Sequence, residues 1–170
     1  MTNTQYFANV MGNSLPDAAA VLQGAPNGRR IEGTVSFYQT PQGVLVTAAV
    51  RGLPVTRMAC AQPIFALHVH EGTACTGNAS DPFANAGMHF NPGGCPHPYH
   101  AGDLPPLFSD RTGFAWMAVL TDRFTVRDVL GKAVIVHSKP DDFKTQPSGD
   151  AGAKLACGII TPTRRDGVSG

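Results

Sequence analysis

Charge is what this sequence has least of. Only 15% of its 170 residues are Asp, Glu, Lys or Arg, and the formal net charge is +1. That balance excludes a strong global field for nucleic acid or an anionic membrane, leaving only local patches. Long apolar runs are also missing: none approaches the ~18 residues of a membrane span. The N-terminus, "MTNTQYFANVMGNSLPDAAA", has neither the basic start nor the apolar stretch of a secretory signal. A cytoplasmic protein is expected if the chain is full length, and a periplasmic or extracellular one if it is a trimmed mature form. Cys60, Cys75, Cys95 and Cys157 form no CxxC pair, which argues against a zinc ribbon or a thioredoxin-like site. They are enough for two disulfides, which would be unusual in a reducing cytosol.

What is present is a globular composition, 42% hydrophobic, of a length that suits one domain. With 19 glycines and 14 prolines spread throughout, a helix bundle is excluded. Between them lie segments of strand character. "RRIEGTVSFY" alternates Ile31, Gly33, Val35 and Phe37 against Glu32, Thr34, Ser36 and Tyr38, and the turn "QTPQG" joins it to "GVLVTAAVRGL" as a hairpin. "AAAVLQG", "PIFALHVHE", "TGFAWMAVLTD", "GKAVIVHS" and "AKLACGIIT" supply the remaining strands, and "TDRFTVRDVLGK" one or two helical turns. The expected fold is all-β: a Greek-key antiparallel sandwich or flattened barrel of about eight strands. Residues 1–16 read as an N-terminal extension, either a mobile arm or a packed one. Residues 17–161 form the domain and 162–170 a polar tail. Residues 71–112 and 138–152 read as two long irregular loops, a length that in compact domains usually marks function.

Both loops follow histidine-bearing strands, and all six histidines of the chain lie in or beside them. In "HVH", His68 and His70 emerge on one face of a strand. Alone, the pair also fits two exposed strand histidines, and His137, ending "AVIVH", fits a satisfied core or edge histidine. His97, His100 and Asp103 recur at intervals of three in "HPYHAGD", where flanking prolines favour polyproline-II geometry and would align all three along one edge. Two nitrogens and a carboxylate suit zinc, with His89 as the obvious fourth donor, while a four-nitrogen set selects Cu(II). Six histidines and one aspartate serve eight metal bonds if one imidazole is shared.

The motifs "HVHE", "GMHFNP", "HAGDLP", "VIVHSKPDD" and "AGAKLACGII", in that order, resemble the copper–zinc superoxide dismutase family over roughly residues 17–160. The resemblance implies dismutation of superoxide to dioxygen and hydrogen peroxide by a redox-cycling copper, bridged through a histidine to zinc. It implies copper on His68, His70, His89 and His137, and zinc on His89, His97, His100 and Asp103. Asp141 would hydrogen-bond a ligand of each metal, although a helix cap or turn residue after Pro140 is the other reading. Cys75 and Cys157 would form a disulfide. Superoxide is then the substrate, a homodimer is possible, and neither nucleic acid nor membrane is expected as a partner.

The chain departs from the family in three places. Lys154 stands where the family carries an arginine beside copper, keeping the charge but losing the planar fork; it is expected to act with His89 in catalysis or to be a solvated loop-end charge. The zinc loop is short, and so is "SKPDDFKTQPSGDAG", where Lys139 and Lys144 remain either as steering charges or as plain solvated lysines. Cys60 and Cys95 either form a second disulfide or remain two buried thiols. The competing function is a copper- or zinc-binding module without catalysis on the same fold.

Overall fold

Alternation along the strands decides which way each side chain faces, and it is the reason the site ends up outside the core. In the computed structural model, which describes residues 2–26, 28–58 and 63–163, the elements run α1 Asn3–Asn13, β1 Ala18–Gly24, β2 Glu32–Thr40, β3 Gly43–Arg51 and β4 Ile64–His70. They continue with β5 Asp103–Phe108, β6 Ala115–Thr121, α2 Val126–Val129, β7 Ala133–His137 and β8 Lys154–Pro162. All strand pairs are antiparallel, in the order β5-β4-β7-β8-β1-β2-β3-β6. The two end strands approach one another, so the sheet curls into a nearly closed barrel. Its interior is filled by Leu22, Val35, Phe37, Val46, Phe65, Leu67, Leu107 and Ile160, all essentially without solvent contact. The β2–β3 hairpin is as tight as "QTPQG" suggests: Thr40 pairs with Gly43, whose φ of 135° only glycine adopts readily.

Two expectations are corrected, and a helix not read from the sequence is added. The stretch 71–112 is not wholly irregular, because β5 lies within it. Pro105 and Pro106 concealed that strand. They are tolerated because β5 is an edge strand and both prolines fall in a bulge between the pairs Leu67–Leu104 and Phe65–Leu107, so neither missing amide costs a ladder bond. The "HPYH" segment is not polyproline II: the Tyr99 amide donates to the Pro96 carbonyl at 2.9 Å, closing a tight turn. The N-terminal stretch is a helix, α1, closed at its start by a capping box in which Thr2 and Gln5 satisfy each other's backbone amides. None of its residues is fully buried, and Tyr6, Phe7, Val10 and Met11 are half-buried.

A smaller apolar cluster lies outside the barrel wall: Phe83, Ala86, Ala133, Ile135 and Cys157, with Cys75 against it. There Cys75 is bonded to Cys157, clipping the loop after β4 to β8. Cys60 lies outside the described residues, so its pairing with Cys95 does too; Cys95 is exposed, with no disulfide partner among the described residues.

Candidate metal centre

Phe65, Leu67 and Val69 of β4 enter the core, so His68 and His70 emerge on its outer face. By the same parity Val134 and Val136 face inward from β7 and His137 faces out. Pairing brings these faces together: His68 stands opposite Asp103 of β5 on one side and Ile135 of β7 on the other. His89 arrives on a segment that extends the sheet locally, bridging to His70, with the Phe90 amide on the Val69 carbonyl at 2.8 Å. His97 and His100 come from the turn that follows. The two long loops then cover everything, and no histidine in the chain is more than 6% exposed.

The result is two four-residue sets: His68, His70, His89 and His137, and His89, His97, His100 and Asp103. Within each set the candidate ligand atoms lie within 4.8 Å of one another. The outer nitrogen of most rings is fixed by a hydrogen bond. His68 Nε2 meets Asp141 Oδ2 at 2.9 Å, His97 Nε2 meets Asp141 Oδ1 at 2.8 Å, and His70 Nδ1 meets the Gly87 carbonyl at 2.8 Å. His137 Nδ1 faces the Gly152 carbonyl at 3.3 Å. Protons held on these outer atoms leave lone pairs facing inward. That inward side holds the anomaly. Buried His68 Nδ1 and His89 Nε2 have no hydrogen-bond partner, and His97 Nδ1 lies 3.1 Å from Asp103 Oδ2 without forming a hydrogen bond. His70 Nε2 and His137 Nε2 face each other at 3.1 Å. Burying unsatisfied imidazole nitrogens is costly unless something accepts their lone pairs. Divalent cations do so, and the donor sets, four nitrogens and three nitrogens with a carboxylate, suit copper and zinc respectively.

Electrostatics agrees with a site kept neutral at the rings and anionic at the carboxylates. Burial is the main cause that depresses His68 and His70, the latter well below its ordinary value. Burial, aided by the neighbouring His68, brings His137 down to about 3. Burial opposes ionisation of Asp141, yet hydrogen bonds from His68, the Phe143 amide and His97 more than offset it and hold the carboxyl well below its usual range. Asp103 is lowered in the same way, burial being more than offset by its bond to His89 Nδ1 at 2.8 Å together with the attraction of His89, His68 and His97.

Every histidine singled out in the sequence is therefore brought to one place with Asp103, and Asp141 spans both sets. Lys154 sits at the start of β8 as the ladder partner of His137, with its ammonium bound by Asp81 at 2.7 Å. Lys139 is paired with Asp150 at 3.1 Å, and Lys144 lies exposed on the same loop. Sequence reasoning missed several supporting residues. Gln146 clasps the His97 backbone through both ends of its amide, at 3.0 and 2.7 Å. Arg123 donates to the carbonyls of Pro98 and His100 at 3.4 and 3.3 Å. Gly149 packs its Cα against the Asp141–His97 hydrogen bond. Only Gly149 left a signal, the glycine punctuation of "SGDAG".

An antiparallel barrel carrying two ligand sets that share one imidazole defines a two-metal β-barrel protein. The family follows from comparison with known proteins: residues 31–160 match copper/zinc superoxide dismutase (SODC), and the chain belongs to that family. The superoxide dismutase [Cu-Zn] 2 of Aquifex aeolicus is 33% identical over 142 residues, covering 75% of this chain and 78% of that protein. The superoxide dismutase [Cu-Zn] of Deinococcus radiodurans is 31% identical over 148 residues, 77% of this chain and 78% of its own length. The human copper chaperone for superoxide dismutase is 31% identical over 157 residues, 84% of this chain but 52% of its own length.

Proposed function

We propose that this protein dismutates superoxide to dioxygen and hydrogen peroxide, using copper and zinc. In this reading His68, His70, His89 and His137 would hold copper, and His89, His97, His100 and Asp103 would hold zinc. When bound, copper supplies a one-electron couple that superoxide can both reduce and reoxidise, while zinc is redox-silent. The observation that carries the reading is the convergence of buried, unpartnered imidazole nitrogens on two adjoining points, in a chain whose family membership is independent of that geometry.

The chain's own contribution is orientation and proton placement. Asp141, accepting from His68 and His97 together, locks one ring of each set and couples their positions. The carbonyls of Gly87 and Gly152 do the same for His70 and His137. His89 Nε2 is the atom suited to hold and release a proton, because its Nδ1 is engaged on the Asp103 side. The covering loops leave none of the six histidines more than 6% exposed.

The test is superoxide decay followed by pulse radiolysis on protein loaded with copper and zinc, against His137→Ala loaded identically. Decay faster in the parent protein by orders of magnitude, with one copper and one zinc per chain by elemental analysis, is the expected result. A second reading, a metal-binding module without catalysis, is supported by the ion pair that engages Lys154 and by the likeness to the human copper chaperone. It predicts decay no faster than in the variant. Pairing of two copies belongs to the first reading, supported by the exposed apolar side chains Phe108, Trp116 and Leu120 on the edge strands; sedimentation equilibrium measures it.

A further inference from the structure

Lys154 is the cation that a superoxide-guiding role would require, yet its surroundings do not leave it alone. Its side chain is 15% exposed, and its Nζ donates to Asp81 Oδ2 at 2.7 Å and to the Phe83 carbonyl at 3.1 Å. Two of three donor directions are therefore spent inside the loop after β4. Asp81 is itself fixed. Its Oδ1 accepts from the Phe83 amide at 3.0 Å, and its own amide donates to Asn78 Oδ1 at 3.0 Å. The same loop is tied to β8 by Cys75–Cys157, so the carboxylate and the ammonium are delivered to each other by a covalently closed unit. Both charges lie within electrostatic reach of His137: Lys154 makes that ring harder to protonate, and Asp81 responds to it in turn. Burial disfavours the Asp81 charge, but the bonds from Lys154 and the Phe83 amide, with the charge of Lys154, together more than offset it and lower the acid below its usual value.

We infer that Asp81 is a positioning residue that sets the charge beside the copper ligands: it binds Lys154 and cancels most of its field, so small anions meet a neutral pair rather than a lone cation. This rests on the copper–zinc reading above, and it identifies the residue that tunes attraction of monovalent anions to that site. The chain departs from its family by more than Arg for Lys. A compact ammonium is readily captured by one carboxylate, whereas a guanidinium fork can satisfy a partner and still present donors elsewhere.

The experiment is azide titration of the copper- and zinc-loaded protein, read from the Cu(II) absorption bands, which needs no turnover. Asp81→Asn keeps an oxygen for the Phe83 amide but removes the charge; azide should bind about threefold more tightly at low salt, the gain shrinking as ionic strength rises. Lys154→Gln should weaken azide by about the same factor. The double variant, neutral at both positions and still able to hydrogen-bond, should return to within about 1.5-fold of the parent protein. Azide affinity unchanged or weaker in Asp81→Asn overturns the inference. So does a double variant as weak as Lys154→Gln, which would mean that Lys154 acts as an unopposed cation; that comparison stands even if Asp81→Asn fails to hold its metals. A protein that shows this azide pattern but leaves superoxide untouched refutes the dismutase reading and spares Asp81.

Discussion

The most exacting test of the site is a single methyl group at Gly149. This residue is buried, has φ +66°, and lies against the hydrogen bond by which Asp141 holds His97. A Cβ built there would overlap Asp141 Oδ1 and stand 2.7 Å from both Asp141 Cγ and His97 Nε2. No rotamer relieves this, because the neighbour is a carboxylate gripped on its other oxygen by His68 at 2.9 Å and by the Phe143 amide at 2.7 Å on the same one. Gly149→Ala therefore costs roughly 1 to 2 kcal/mol for the left-handed backbone. A further ~1 to 3 kcal/mol comes from the buried hydrogen bond it breaks. The effect on the metals should be unequal. His97 belongs only to the second set, so zinc affinity falls roughly 10- to 100-fold, the usual consequence of losing an outer-shell partner. Copper affinity falls less, because the bond from Asp141 to His68 uses the opposite oxygen. Competition against a chromophoric chelator measures both constants, and urea unfolding of the metal-free protein separates the fold from the site. Zinc affinity unchanged in a folded variant would refute the claim that Asp141 orients His97. Equal losses of copper and zinc would refute the claim that the two halves of that carboxylate act separately.

Asp141→Asn is expected to resemble this variant but to touch both metals, since a neutral amide can accept from only one of the two histidines; the same chelator competition applies. Replacing Cys75 and Cys157 with serine opens a closure of 82 residues and should destabilise the protein by roughly 4 to 5 kcal/mol on the chain-entropy estimate, read as a lower urea midpoint. A much smaller shift would mean that packing of Phe83 and Ala86 already holds the loop. The metal-free protein should lose stability as pH falls. His137 is depressed to about 3 by burial and the neighbouring His68, while in the unfolded chain it titrates near 6.5. Below 6.5 the unfolded state thus binds the extra proton first, and stability drains away between pH 6.5 and about 3, with His68 and His70 adding in the same direction. Urea midpoints across that range check it, and a flat profile would contradict the burial assigned to these rings.

Much of this protein was legible from residue order alone. Period-two alternation determined which segments are strands, and therefore that His68 and His70 share a face; turn chemistry determined the β2–β3 hairpin. The family resemblance carried by motif order singled out six histidines and Asp103, and the fold brings those seven side chains to one place. Tertiary structure decided what depends on contacts between distant segments. Pro105 and Pro106 hid β5 because proline is forbidden or harmless according to which neighbour a strand has. A charge such as Lys154 looks the same in sequence whether it is solvated or captured, and only folding brings Asp81, 73 positions away, to within 2.7 Å of it. Local patterns encode dihedral preference and burial, whereas the partner of a polar atom is set by where the whole chain closes upon itself.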